Sequence, residues 1–223
     1  MLLLIANTSG KQGSVGLARV DSADTVNVIE EVPLVGGTFS AQLVPQIAGL
    51  LEKHGFRKTE IGAFVVVSGP GSFTGLRVGL AAIKALAEIL QKPIVPVSLL
   101  EVIAVSSGTR GRVMAALDAG RGEVFAGEYD VHDSARLVNE RLFSKEELLA
   151  VVRDLTLATP DENLAQAVRE MGGSVALMEI PGAKRVGQTG WRRLQSGHIV
   201  SPEQLEANYI RRSDAEIFAT HKP

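Results

Sequence analysis

Apolar residues first gather at positions 2–6, five in a row without a polar interruption, the pattern of a strand buried on both faces. Residues 14–20 and 25–32 follow across short polar or glycine-containing turns, and three consecutive strands predict an antiparallel start. A helix is expected from Ser40, a good N-cap, to His54, with Gly55 as its stop signal and Pro45 near its first turns. Next come a strand at 63–68, a glycine-rich turn, a long helix over 75–91 and a short strand at 94–97. After Ser106-Ser107-Gly108 the pattern starts again, with strands at 112–118, 122–131 and 136–142. A helix then runs from Ser144, spaced from Glu147 as a capping box, to about Asp154. A strand at 156–158 and a helix over 161–171 complete the second pass. From Ser174 the chain leaves the pattern, and a helix near 189–195 is expected to cross back.

The order βββαβα thus occurs twice. The two starts, LLLIANTSGKQGSVGLARV and RVMAALDAGRGEVFAGEYDV, each read as strand, Asn or Asp, a small-residue turn with glycine and a basic residue, then strand. Two such units define an α/β protein with mixed sheets flanked by helices, the architecture of the actin, sugar kinase and Hsp70 (ASKHA) group. The lobes are expected at 1–104 and 105–223, with the last segment able to return to the first lobe.

The two helices of the first lobe carry more apolar surface than a sheet requires. On a wheel at 100° per residue, Phe39, Leu50, Leu43, Ile47, Leu51, Val44, Ala48 and Ala41 cover an arc of roughly 200°, whereas docking on one sheet needs about 100°. In the second helix Arg77, Lys84, Glu88 and Gln91 form one narrow stripe, and almost everything else is Gly, Ala, Leu, Ile or Val. The surplus predicts a protein–protein interface over Ala41, Val44, Ile47, Ala48 and Leu51 on the first helix and Gly75, Val78, Gly79 and Ala82 on the second. Burial by the second lobe is the alternative. The small residues would permit close helix approach.

Composition narrows the chemistry. Twenty-three basic against 25 acidic residues give a formal charge of −2, so the chain as a whole lacks the electrostatic footprint of a phosphate-backbone binder, and contact with RNA is expected to be shared with a partner. There is no cysteine, which excludes disulfides, thiolate metal sites and thiol nucleophiles. The initial apolar run is too short for a signal-peptide core or a membrane span, and a cytoplasmic protein is expected. His54, His132, His198 and His221 show no spacing that would place two imidazoles on one helix face, which argues against a metallopeptidase.

The most specific segment is VVVSGPGSFTGLRVGLAAIKALAEIL. A strand enters Gly69-Pro70-Gly71-Ser72-Phe73-Thr74-Gly75 and a helix leaves it, so free N–H groups at the helix start could cradle an anion, with Thr8 and Ser9 beside Gly69, Gly71 and Ser72. No Gly-Lys-Ser/Thr follows, so the turn is not a P-loop, and its spacing is not a dinucleotide fingerprint. The competing and preferred reading is a tight strand-to-helix connection. Asp118 and Arg121, with Glu123, mark the matching turn of the second lobe and Lys11 that of the first; a solvated polar turn is the alternative to a nucleotide contact. Lys184, Arg185, Arg192 and Arg193 flank Trp191, a pattern that fits phosphate contacts with base stacking or, preferred, a solvated helix face.

SGPGSFTGLRVGLAAIKALA resembles the signature segment of the TsaB (YeaZ) family. LDAGRGEVFAGEY resembles its second-lobe motif, FSAQLVPQIAGLL its first helix and ANYIRRSDAE its closing segment. The resemblance implies the ASKHA fold and a non-catalytic role as partner of the TsaD transferase subunit in tRNA threonylcarbamoyladenosine formation. It further implies a TsaE-type ATPase in the same complex, and ATP and metal only through the complex; self-association as a homodimer when the partner is absent is expected from the apolar surplus on the two helices. Two departures stand out. Asn7 occupies the end of the first strand where the family usually has aspartate, which removes the first-lobe acid of an ASKHA nucleotide site and argues against intrinsic ATPase activity. Phe39 stands where the family often has histidine. The rivals are an active ASKHA ATPase or kinase using the 69–75 turn and Asp118, and a glycoprotease-like peptidase.

Overall fold

The computed structural model describes residues 1–210; His221 and most of the ANYIRRSDAE segment lie outside them. The chain divides into two units, Met1–Leu99 with Pro181–Asn208, and a second that contains Leu100–Ile180.

In the first unit, β1 (Leu2–Asn7) pairs antiparallel with β2 (Gln12–Val20) and parallel with β4 (Ile61–Gly69). β3 (Val26–Val35) and β5 (Ile94–Ser98) form the edges of a five-stranded sheet in the order β3-β2-β1-β4-β5. Every residue of β1 is buried, as its unbroken apolar run predicts. Leu2, Leu4, Ala6, Phe64 and Val66 point into a core closed by α1 (Phe39–Lys53) and α2 (Phe73–Leu90), through Leu43, Ile47, Leu50, Leu80 and Ile83. α1 runs unbroken through Pro45.

The opposite face of the sheet is covered by α6 (Ala183–Gln195), which returns from the end of the second repeat. Its inner face is made of Ala183, Val186, Gly187, Thr189 and Gly190. A Cβ on Gly190 would overlap both methyl groups of Val65, so a bare backbone is what lets the helix lie on the sheet. The helix begins at Gly182, which offers no side-chain cap; instead the Glu31 carboxylate on β3 accepts from the Ala183 N–H at 3.0 Å. Glu31→Ala is therefore expected to lower stability by about 1 kcal/mol, with Glu31→Gln retaining most of it, read from denaturant midpoints.

The second unit repeats the topology. β6 (Gly111–Gly120), β7 (Glu123–Val131), β8 (Ala135–Ser144), β9 (Thr156–Thr159) and β10 (Ser174–Leu177) form a sheet in the order β10-β9-β6-β7-β8. α4 (Lys145–Val151) and α5 (Glu162–Glu170) close its core through Leu148, Leu164 and Val168 against Met114, Ala116, Val124 and Leu157. Ser144 and Glu147 form the expected capping box.

Three elements correct the sequence reading. A helix, α3 (Leu99–Ser106), follows β5 without a break, and β10 pairs with β9 where a departure from the pattern is expected, so both repeats are βββαβαβα. The nominal second-lobe range of 105–223 gives way at 181–208, where the helix expected near 189–195 does cross back: it starts earlier, at Ala183, and buries its inner face on the first sheet.

The sealed glycine turn and the exposed face of two helices

The end of β1 and the β4–α2 turn are built against each other. Asn7 Oδ1 accepts from the Ser9 N–H at 3.0 Å and from the Ser9 hydroxyl at 2.7 Å, which folds the chain back after the strand. An aspartate would offer the same acceptor, so Asn7 has a structural role that does not depend on metal or base chemistry. The Ser9 carbonyl in turn accepts from Ser72 N–H at 2.7 Å. Ser72 caps α2, its hydroxyl accepting from Gly75 N–H at 3.2 Å and its carbonyl from Leu76 N–H at 2.8 Å. On the strand side the Ser68 carbonyl accepts from Asn208 N–H at 2.7 Å.

Ser9, Gly71 and Ser72 thus meet around bonds internal to the protein, while Thr8 packs against Gly75 and Gly79 and Gly69 against Asn208. Thr8 and Ser9 are 1% and 2% exposed. The Ser72 and Gly75 N–H groups already have protein acceptors, while Ser72 and Thr74 remain exposed. Gly71, with φ +155°, sits where a Cβ would fall on the Ser9 carbonyl oxygen. Beside this turn a cleft of about 350 Å³ is lined by Lys11, Gly36, Phe39, Ser40, Thr74 and Val78. Phe39 supplies its apolar wall and is otherwise part of the core.

Asp118 and Arg121 lie in the β6–β7 turn of the second unit. Asp118 is exposed and its carboxylate accepts from Gly120 N–H at 2.9 Å, and Arg121 holds a positive φ of 59°. Such bonding is that of a self-closed polar turn. Among the described residues no group of histidine and acidic side chains could hold a metal ion, and no helix is long and apolar enough to cross a membrane.

The helix faces expected to meet a partner separate into two sets. On α1, Ala41, Val44 and Ala48 are exposed, Val44 at 49%, whereas Ile47 and Leu51 are buried in the core. On α2, Val78 and Ala82 are half-buried and Ala81, Ala85 and Ile89 are exposed, Ile89 at 72%. Gly75 and Gly79 do not face outward. A Cβ at either would strike Thr8, so their small size serves the approach of α2 to the end of β1. The exposed set sequence reasoning missed, Ala81, Ala85 and Ile89, continues the α2 face, and its four-residue spacing was the available signal.

The C-terminus of α1 is tied to β3 by Glu30, which accepts from Lys53 and contacts His54 Nε2, both at 2.7 Å. The hydrogen bond from Lys53, then that from His54, holds the Glu30 carboxyl below its ordinary range. Because the folded-state pKa is lowered, this contact adds stability at and above the ordinary carboxylate range and loses it as pH falls through the lowered value. Glu30→Gln should flatten the acid limb of a plot of melting temperature against pH.

The family model for TsaD, tRNA N6-adenosine threonylcarbamoyltransferase, matches residues 33–170. The tRNA threonylcarbamoyladenosine biosynthesis protein TsaB of Bacillus subtilis is 32% identical over 131 residues, 58% of this chain and 55% of that protein. The Escherichia coli protein of the same name is 27% identical over 190 residues, covering 78% of this chain and 81% of that one. The chain thus spans little more than half of the Bacillus relative. The solved structure of YeaZ from Pseudomonas aeruginosa superimposes with a TM-score of 0.74 at 26% identity, over 93% of this chain and 100% of its own, and carries the ASKHA-like fold. The family-model match over more than half of the chain and these likenesses give one assignment: the chain belongs to the TsaD family, in its TsaB/YeaZ group.

Proposed function

We propose that the chain is a non-catalytic, activating subunit for a TsaD-type transferase in the formation of N6-threonylcarbamoyladenosine on tRNA. The observation that carries this reading is the exposed apolar face of α1 and α2, centred on Val44, Ala48 and Val78. A soluble monomer rarely leaves small and β-branched residues in such a contiguous stripe on neighbouring helices. Two related chains meeting through these helices would bury it, either as a heterodimer with the catalytic subunit or, in its absence, as a homodimer. ATP, a metal ion and a TsaE-type ATPase enter through the assembled complex, in the cytoplasm. The family names of the relatives support the pathway, and the internally bonded 69–75 turn and Asn7 weigh against the ATPase reading.

The test is co-expression with the TsaD-type subunit of the same organism. A stable complex is expected, with threonylcarbamoylation of a tRNA transcript only when both proteins are present. Failure to associate removes the proposal, and ATP turnover by the isolated chain that disappears in Asp118→Ala replaces it with the kinase-like rival.

A further inference from the structure

The outward face of α6 carries positive charge only, in a chain whose formal net charge is −2. The helix reads AKRVGQTGWRRLQ and contains no carboxylate. Lys184, Arg185 and Arg192 are exposed, and among the described residues none of them makes an ion pair; Arg185 contacts only the Gln188 amide, at 3.4 Å. The carboxylate shown at the start of the helix, Glu31, accepts from the Ala183 N–H at 3.0 Å. Arg193 is set apart from this group, half-buried and donating to the Pro96 carbonyl at 3.0 Å, which anchors the helix to β5.

Three unpaired cations therefore stand on one rigid element, Lys184 and Arg192 about 12 Å apart along the axis at 1.5 Å per residue. Gln188 and Gln195 between and beyond them add neutral donors of the kind that contact phosphate oxygens. Trp191 is half-buried with its Nε1 in the interior, so the face offers charge and not a stacking platform.

We propose that this face of α6 binds the phosphodiester backbone of RNA, positioning it without reading its sequence. The choice of RNA over another polyanion rests on the functional reading above, since the chemistry itself is that of regularly spaced phosphates meeting unpaired guanidinium and ammonium groups. The surface lies on the side of the first sheet opposite α1 and α2, so RNA and a partner on those helices would not compete for the same residues.

The experiment measures binding of an unmodified tRNA transcript to the full chain by fluorescence anisotropy across a salt series. The combined Lys184→Ala, Arg185→Ala, Arg192→Ala variant is compared with a control carrying the same charge change elsewhere, Lys58→Ala, Arg110→Ala, Arg153→Ala. The α6 variant is expected to bind about tenfold more weakly near 100 mM salt, with a log–log salt slope shallower by about 2 to 3, and equally so for transcripts of different sequence. The control should bind like the parent. Equal losses in both variants, no loss in the α6 variant, or no binding by the parent at low salt would each overturn the proposal. So would tighter binding to anionic phosphatidylglycerol vesicles than to the transcript. Failure of co-purification with the TsaD-type subunit while tRNA affinity stays intact would count against the functional reading alone.

Discussion

Gly71→Ala is expected to lower the stability of the first unit by about 3 kcal/mol or more, while Gly37→Ala, at another positive-φ glycine, should cost only about 1 to 2 kcal/mol. Both positions have backbone angles that L side chains avoid, φ +155° and +82°. They differ in what a Cβ would meet. At Gly37 nothing lies within 4 Å, so only the intrinsic backbone penalty applies. At Gly71 the new methyl would fall on the Ser9 carbonyl, the acceptor that fastens Ser72 and through it the start of α2. Backbone cannot step aside as a side-chain tip can, so either the Ser9–Ser72 bond breaks or the turn moves away from β1. Urea unfolding of the two variants beside the parent is the measurement. Equal midpoints for the two would mean that the turn is not sealed as described. The same comparison bears on function, because a loosened turn would tilt α2 and with it the Val78 and Ala82 part of the proposed partner face.

The parts of this architecture that were legible in the sequence are those written in local periodicity. β1 could be placed from five consecutive apolar residues because a strand covered on both faces needs no alternation, and α2 from its length and polar stripe. α3 was not, because LLEVIAVS follows β5 directly and is apolar at nearly every position, so no polar stripe separates it from the strand. The start of α6 was invisible for a different reason. Its cap is Glu31, 152 residues away in sequence, and apart from Val186 its inner face is alanine, glycine and threonine where a pattern of large apolar residues would be sought. Site reasoning failed in a related way at Gly75 and Gly79. A small residue on a helix signals that something approaches closely, but not which side the approach is from, and here it is Thr8 of the same chain. At Asn7 the sequence shows that an acid is absent; only the bonds to Ser9 show what the amide does instead.

Ala48→Glu is expected to abolish association with the TsaD-type subunit while leaving the melting temperature nearly unchanged, and the contrast between those readouts decides where the partner sits. Ala48 and Val44 lie on the exposed margin of α1, next to Gly49, beside which nothing lies within 4 Å of an added Cβ. A glutamate there remains in water in the free chain, so its effect on folding should be within about 0.5 kcal/mol. In a complex that packs a helix onto this margin the carboxylate would lose its hydration with no cation built to receive it. The expected cost is about 3 kcal/mol or more, roughly a hundredfold or more in Kd. Ile47→Ala supplies the converse. Ile47 is 4% exposed in the core under the sheet, so truncation should cost about 2 to 5 kcal/mol of stability and weaken binding only as far as α1 shifts. Calorimetric titration of the TsaD-type subunit into each variant, alongside thermal melts, separates the two effects. If Ala48→Glu binds like the parent, the partner does not cover this margin. If it melts many degrees lower, the margin is supporting the fold, and the apolar surplus of α1 must be accounted for inside the chain.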